Sequence, residues 1–120
     1  LVSVPSSPAT AGLIGAPQLA ACRPGTLLVN VARGNVVDRA ALVDALRGGR
    51  LGGAAIDVTD PEPLGPEDPL WDVPSLLITP RVSGFAGPDG EERLAATLAA
   101  NVRRFAAGEA PHHQVSVEQG

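Results

Sequence analysis

The chain has 120 residues, a net charge of −4 and a pI of about 5.0, and 44% of its residues are hydrophobic. This length suits one small globular domain, and the acidic balance argues against a nucleic-acid-binding surface, which needs clustered positive charge. No apolar run approaches the roughly 20 residues that span a bilayer, and no signal-peptide pattern is present. We therefore expect neither a nucleic-acid partner nor a membrane partner.

The predicted elements alternate between short apolar strands and helices. We expect strands over residues 1–5, 26–32, 51–58 and 76–80, and helices over residues 16–22, 39–47 and 90–107. The strand over 26–32 is apolar almost throughout, which is typical of a strand covered on both faces. This order predicts an α/β fold with a parallel sheet of about four strands and right-handed crossovers.

The two longer helices carry clear terminal signals. Asp38 is placed to cap the second helix and Gly48-Gly49 to end it with a positive φ. The apolar stripe of this helix consists of Leu42, Ala45 and Leu46. Asp89 and Glu92 resemble a capping box at the start of the last helix. The buried face predicted for that helix consists of Leu94, Leu98, Val102 and Phe105.

A long loop joins the third and fourth predicted strands. The segment 60–75 contains five prolines, which we expect to exclude regular structure. A loop of this length is usually functional or interfacial. Trp71, the only tryptophan, lies in this loop and either becomes buried at a subunit interface or covers the core of its own domain.

Charged residues lie at the carboxyl ends of three of the four predicted strands. Arg33, Asp57 and Arg81 come directly after apolar segments, and the first strand ends at Pro5. Open α/β sheets bind ligands outside the carboxyl ends of their strands. The sequence therefore predicts one crevice lined by these residues.

Five segments in this order resemble one enzyme family. The segments are VPSSPATAGLIG (4–15), LLVNVARGNVVDRAAL (27–42), LGGAAIDVTDPEPL (51–64), DPLWDVPSLLITPRVSG (68–84) and RFAAGEAP (104–111). Together they are similar to the C-terminal part of the NAD(P)-binding domain of the D-2-hydroxyacid dehydrogenases. The resemblance implies a partial Rossmann-like doubly wound parallel sheet over residues 1–84. Residues 85–120 would be a long helix and tail that cross back to the substrate domain.

The activity implied by the resemblance is hydride transfer between a nicotinamide and a small 2-oxo or 2-hydroxy acid. The cofactor is NAD or NADP, with NAD favoured, and the full-length protein is expected to be a homodimer. Which acid is the substrate stays open, since selectivity in the family comes largely from the other domain. Cys22 is the only cysteine, which fits the cytoplasmic location that we expect.

Site residues are carried over from the family by position. Arg33 matches the arginine that binds the substrate carboxylate and carbonyl, and Glu62 matches the glutamate that orients a catalytic histidine. The cofactor-binding positions, many of them contributing main chain, are Val4, Pro5, Thr10, Val31, Ala32, Arg33, Asp57, Ser83 and Gly84. Asp57 matches the aspartate near the nicotinamide carboxamide, although a carboxylate there can also cap a loop turn.

The main departure from the family pattern is Arg81, which stands where the family has its acid/base histidine after Thr-Pro. Arginine does not give up its proton near neutral pH. We therefore expect a Glu62–Arg81 ion pair in place of the glutamate–histidine pair of the family. Three interpretations stay open. The chain belongs to a weak or altered dehydrogenase in which Arg81 acts electrostatically, to a non-catalytic dinucleotide-binding or interaction protein, or to an ordinary member that tolerates the change.

Two further observations bound the function. No G-x-G-x-x-G follows a strand, so the pyrophosphate site of the family would precede residue 1. Because the chain lacks methionine and opens on a predicted strand, we interpret it as part of a longer polypeptide; a processed product or an inactive gene remnant is the alternative.

His112 and His113 are expected to be solvated, and we predict no metal site.

Overall fold

The computed structural model describes residues 1–84 and 87–114. The chain divides into two compact units, Leu1–Val82 and Ser83–Gly120. Within the described residues, no helix combines the length and the hydropathy that a membrane span requires.

The first unit is built on a parallel sheet of three strands. The strands are β1 (Thr26–Asn30), β2 (Leu51–Ile56) and β3 (Leu76–Ile78), and they lie side by side in that order. Helix α1 (Ala16–Ala21) precedes β1, and helix α2 (Arg39–Arg47) joins β1 to β2. The prediction of a parallel α/β sheet is therefore confirmed, with three strands rather than about four.

The predicted first strand is reduced to a single bridge. Val2 pairs in parallel with Asn30 at the free edge of β1. Its N–H donates to Val29 O at 2.7 Å, and its carbonyl accepts from Val31 N at 3.1 Å. The apolar pattern of residues 1–5 predicted the position of this segment correctly but overstated its length, because Pro5 has no N–H to continue the pairing.

Only one face of the sheet is covered within this unit. Leu28, Ala54 and Ile56 are buried with Leu42 and Leu46 of α2 in one core cluster. On the opposite face the side chains exposed to solvent are Leu27, Val29 and Leu77. The expectation that the strand over 26–32 is covered on both faces is therefore wrong for this chain, because no element of the unit packs on the second face.

Helix α2 begins and ends where the sequence predicted. Asp38 Oδ1 accepts from Ala41 N at 2.8 Å at its N-terminus, and Gly48 follows its last residue. Leu42 and Leu46 are buried, with Ala45 packed against the same core.

The Pro-rich loop contains regular structure, contrary to the prediction. A 3₁₀ turn covers Pro69–Asp72, and Asp68 caps it by accepting from Leu70 N at 2.9 Å. Proline is tolerated in the first turn of a helix because its missing N–H would be unpaired there in any case. Five prolines therefore limit regular structure in this loop without excluding it.

The second unit contains helix α3 (Gly87–Ala106). It begins before Asp89, which lies within its first turn, so the predicted capping box is wrong. The four side chains of its predicted buried face, Leu94, Leu98, Val102 and Phe105, are all more than half exposed. Helical periodicity predicted an apolar face correctly, but an apolar face becomes buried only when another element packs on it.

Candidate functional site

The candidate site lies at the carboxyl edge of the sheet, where the three parallel strands end. The loop after β1 carries Arg33, Asp57 directly follows β2, and Arg81 comes three residues after β3. Strand pairing sets Asn30 opposite Ile56, and Ile56 opposite Ile78. The polar residues that follow these three positions therefore leave the sheet at the same edge, as the sequence predicted.

The loop that carries Arg33 is shaped by Asn30, which the sequence analysis did not single out. Asn30 is only 1% exposed. Its Oδ1 accepts from Ala32 N at 3.0 Å, and its Nδ2 donates to Arg33 O at 3.1 Å. The amide thus fixes the backbone on both sides of the turn while the Arg33 side chain stays exposed. A polar residue closing an otherwise apolar strand was the signal that could have revealed it.

Close contact with the next loop fixes the position of this turn. A Cβ added at Gly34 would overlap the Thr59 carbonyl group and lie 2.6 Å from Asp60 N. Only glycine lets the two main chains approach so closely. The loop that carries Arg33 is therefore held against the loop that leads to Glu62.

Asp57 is a buried carboxylate that binds the segment after β3. It is 5% exposed, and its Oδ1 accepts from Thr79 Oγ1 at 2.5 Å and from Val82 N at 2.8 Å. It makes a further interaction as well. The side chain therefore stabilises a turn, which was the second of the two roles considered for it.

Glu62 and Arg81 form the ion pair that the sequence predicted. Arg81 Nη1 donates to Glu62 Oε2 at 2.5 Å, and the two side chains are 50% and 33% exposed, respectively. Arg81 has a φ of 57°, in the left-handed region that residues with a Cβ seldom occupy. The carboxylate and the guanidinium together line a cavity of about 230 Å³.

The walls of that cavity are mainly apolar and come from the Pro-rich loop and β3, namely Pro63, Leu64, Trp71 and Ile78. Trp71 is 51% exposed, whereas its neighbour Leu70 is 4% exposed and enters the core. The indole N–H donates to Gly65 O at 2.8 Å. Trp71 therefore does not serve to cover the core of this unit, which was one of the two alternatives for it.

The other predicted cofactor positions lie in turns and next to the end of β1. Thr10 Oγ1 donates to Pro5 O and accepts from Ser7 N, both at 2.8 Å, so its hydroxyl closes a local turn. Val31 N is bonded to Val2 O, and Ala32 is buried. Ser83 and Gly84 lie in a turn at the start of the second unit.

The residues at this edge fit the nicotinamide end of a dinucleotide. Val31 and Ala32 directly follow β1 and precede Arg33, and Val4 lies two residues beyond the Val2 bridge to β1. A pyrophosphate needs a glycine-rich turn leading into a helix, and the sequence has no such turn after any of its strands. The chain therefore carries residues suited to one end of the cofactor.

The two histidines belong to the second unit, where they follow helix α3. Both are exposed, as predicted, and the backbone of His112 is bonded to the Asn101 side chain. Among residues 1–84 and 87–114, no cluster of three or more His, Cys, Asp or Glu side chains is arranged to hold a metal ion.

The parallel sheet and its flanking helices define the class as a Rossmann-like α/β domain. Residues 1–83 match the family model described as "D-isomer specific 2-hydroxyacid dehydrogenase, NAD binding domain". The chain belongs to this family. The resemblance stated from the sequence is thereby confirmed.

Curated relatives are much longer than this chain. It is 39% identical over 119 residues to D-3-phosphoglycerate dehydrogenase of Mycobacterium tuberculosis, and the match covers 99% of this chain but 22% of that enzyme. The chain therefore spans about a fifth of that relative.

Two solved structures show the same fold. A D-isomer specific 2-hydroxyacid dehydrogenase from Xanthobacter autotrophicus, in complex with NADPH, is 42% identical with a TM-score of 0.84, covering 96% of this chain and 46% of that one. The NADPH-dependent glyoxylate/hydroxypyruvate reductase of Sinorhizobium meliloti, in complex with NADP, is 30% identical with a TM-score of 0.83. That match covers 98% of this chain and 38% of the reductase.

Proposed function

We propose that this chain is the C-terminal half of the NAD(P)-binding domain of a D-2-hydroxyacid dehydrogenase. The observation that carries the proposal is the grouping of Arg33, Asp57 and the Glu62–Arg81 pair at the carboxyl ends of neighbouring parallel strands. Two of the similar proteins are a D-3-phosphoglycerate dehydrogenase and a glyoxylate/hydroxypyruvate reductase. They support a small 2-oxo or 2-hydroxy acid as the substrate.

Arg33 binds the substrate in this proposal. Its guanidinium is exposed at the strand ends, and Nη1 is bonded to the Ala32 carbonyl at 2.7 Å. A guanidinium has five N–H donors in a rigid planar arrangement that matches a carboxylate, and it stays charged at neutral pH. Arg33 therefore orients the carboxylate end of a 2-oxo acid, and a nicotinamide bound at this edge would supply the hydride for its reduction or accept it in the reverse reaction.

Arg81 acts electrostatically rather than as a proton donor. The guanidinium keeps its proton, so the proton that the reduced oxygen needs comes from water. A cation beside the reacting carbonyl stabilises the negative charge that develops on its oxygen. Because general acid/base catalysis contributes about 10²–10⁴-fold, the proposed enzyme is slower than a member with histidine at this position.

The dinucleotide contacts are proposed at the positions carried over from the family, in large part through main-chain groups. NAD stays the favoured cofactor as a prediction, while the two solved relatives described above contain NADPH and NADP. The residue that reads the ribose 2′ position lies about 20 residues after the glycine-rich turn in such domains. Homodimerisation, a cytoplasmic location and a crossing of α3 to a substrate domain also stay predictions.

The proposal is tested on the open reading frame that contains this chain. We expect the codons upstream of Leu1 to encode a strand, a G-x-G-x-x-G turn and a helix, and the purified product to bind NADH or NADPH in a calorimetric titration. An unrelated upstream frame, or a folded product that binds neither nucleotide, would contradict the proposal.

A second candidate is a non-catalytic protein that binds a dinucleotide on the same fold. Arg81 favours it, because the residue that exchanges a proton in the family is replaced by one that cannot. Such a protein would bind NADH with ordinary affinity and reduce none of a panel of 2-oxo acids. Reduction of a 2-oxo acid faster than in buffer without the protein would instead favour the slow dehydrogenase.

A further inference from the structure

The buried carboxylate of Asp57 accepts hydrogen bonds from residues on both sides of Arg81, which stands at the family's histidine position. Asp57 Oδ1 accepts from Thr79 Oγ1 at 2.5 Å and from Val82 N at 2.8 Å. Thr79 and Val82 flank the Pro80–Arg81 pair, and Asp57 is 5% exposed. Hydrogen bonds to a buried charged acceptor are among the stronger ones in proteins.

The turn that these bonds enclose needs outside support. Arg81 has a φ of 57°, a conformation that costs on the order of one to a few RT for a residue with a Cβ. The last sheet-type bond, from Thr79 N to Ile56 O at 3.0 Å, ends before the turn, and Arg81 N donates back to Thr79 O at 3.0 Å. Beyond Thr79, Val82 N donates to Asp57, which directly follows β2, and this bond joins the far side of the turn to the end of that strand.

The ion pair cannot supply this support by itself. Arg81 and Glu62 are 50% and 33% exposed, and exposed ion pairs contribute little because water screens them and long side chains lose entropy. The ion pair is therefore better explained as a consequence of the turn than as its cause.

We propose that Asp57 and Thr79 are positioning residues for Arg81. Their hydrogen bond and the Val82 bond together hold the turn in its left-handed conformation, and this directs the guanidinium to Glu62. The importance of this arrangement for catalysis rests on the proposed function, whereas its effect on the turn does not.

Thr79 offers a matched pair of variants in the full chain. Thr79→Val keeps the shape but removes the O–H donor, and Thr79→Ser keeps the donor. Exchange of the Val82 amide hydrogen, followed by NMR, reports opening of the turn. We expect T79V to lower the protection of this amide about tenfold, as the loss of one buried hydrogen bond to a charged group implies, and T79S to restore it.

Controls separate this effect from general loss of stability. The amide of buried Ala54, which donates to Ser75 O at 2.9 Å, should keep its protection in T79V. Thr59→Val removes a hydroxyl that donates to Pro61 O at 2.9 Å, and it should leave the Val82 amide unchanged. In T79V, the NOE contacts between the Arg81 and Glu62 side chains should weaken, and in T79S they should persist.

The proposal is overturned if T79V leaves Val82 protection unchanged, or lowers it no more than that of Ala54. It is also overturned if the Arg81–Glu62 contacts survive in T79V while the Val82 amide opens. Because neither measurement needs a nucleotide or a substrate, failure of this proposal is distinguishable from failure of the proposed function.

Discussion

At the scale of single residues, the site combines an ion pair that the sequence predicted with two residues that the sequence analysis did not single out. The Glu62–Arg81 pair followed from placing Arg81 at the histidine position, because opposite charges at those two positions are expected to pair. Asn30 acts through hydrogen bonds to Ala32 and Arg33 within its own loop, whereas Gly34 acts through its close approach to Thr59, which is distant in sequence. The approach at Gly34 depends on how two strand ends are juxtaposed, which local patterns do not encode.

Gly34 gives the sharpest test of that juxtaposition. A Cβ at this position would overlap the Thr59 carbonyl group, so Gly34→Ala forces the two loops apart. We expect it to lower the free energy of unfolding by about 2 kcal/mol or more, as other substitutions that overpack a fixed backbone do. Urea denaturation measures the change.

Gly65→Ala is the matched control, since nothing lies within 4 Å of a Cβ there and its φ is not positive. We expect its free energy of unfolding to stay within about 0.5 kcal/mol of the wild type, or to rise slightly because the unfolded chain loses freedom. Equal effects of the two substitutions would contradict the close approach at Gly34.

At the scale of elements, terminal signals were reliable where a cap and its helix are adjacent in sequence. Asp38 and Gly48 predicted α2 with its observed bounds. Length and burial were less predictable, because they depend on elements elsewhere. Residues 1–5 form one bridge instead of a strand, and the apolar face of α3 is exposed. A periodic pattern indicates which face is apolar, but not what packs on it.

The ion pair between Arg39 of α2 and Asp68 of the Pro-rich loop predicts that the stability of the fold depends on pH. Arg39 donates to both carboxylate oxygens of Asp68, at 3.0 Å and 2.5 Å. The Leu70 N–H bond first, and then Arg39, lower the pKa of Asp68 from its ordinary value of 3.8, against a smaller opposing effect of burial. A carboxyl whose pKa is lower in the folded state stabilises the fold above its unfolded pKa. This stability is lost as the pH falls from 3.8 through the folded value.

Asp68→Asn should therefore destabilise the chain at neutral pH, and the difference from the wild type should shrink as the pH falls below 3.8. Urea midpoints measured across that range give the comparison. Asp72→Asn, on the same 3₁₀ turn, is the control and should leave the pH profile of the wild type in place. A D68N effect that is constant with pH would refute the assignment of this dependence to Asp68.

At the scale of the whole molecule, the chain exposes more apolar side chains than a stable monomer of its size is expected to. Leu27 and Leu77 are 70% and 61% exposed on the uncovered face of the sheet, and α3 exposes a second apolar face. Large exposed apolar patches mark surfaces that associate. The Rossmann-like class was predictable from the alternation of strands and helices. The uncovered face of the sheet was not, because it depends on which elements pack on the sheet.

We expect the isolated chain to self-associate and to bind NADH weakly. Replacing Leu27 and Leu77 together by Thr keeps the β propensity but reduces apolar area, so sedimentation should show a shift toward monomer. Leu13→Thr, at a residue that is 42% exposed outside the sheet, should leave the association unchanged. A monodisperse wild-type monomer that binds NADH tightly would contradict this expectation.

We propose that Arg81 replaces the general acid of a D-2-hydroxyacid dehydrogenase, and the decisive variant is Arg81→His. The measurement is kcat for reduction of 2-oxo acids by NADH or NADPH in the product of the open reading frame that contains this chain, with Arg23→His, an exposed arginine, as control. We predict that R81H raises kcat by about 10²–10⁴-fold and that R23H does not. A high wild-type rate that R81H leaves unchanged would contradict the claim.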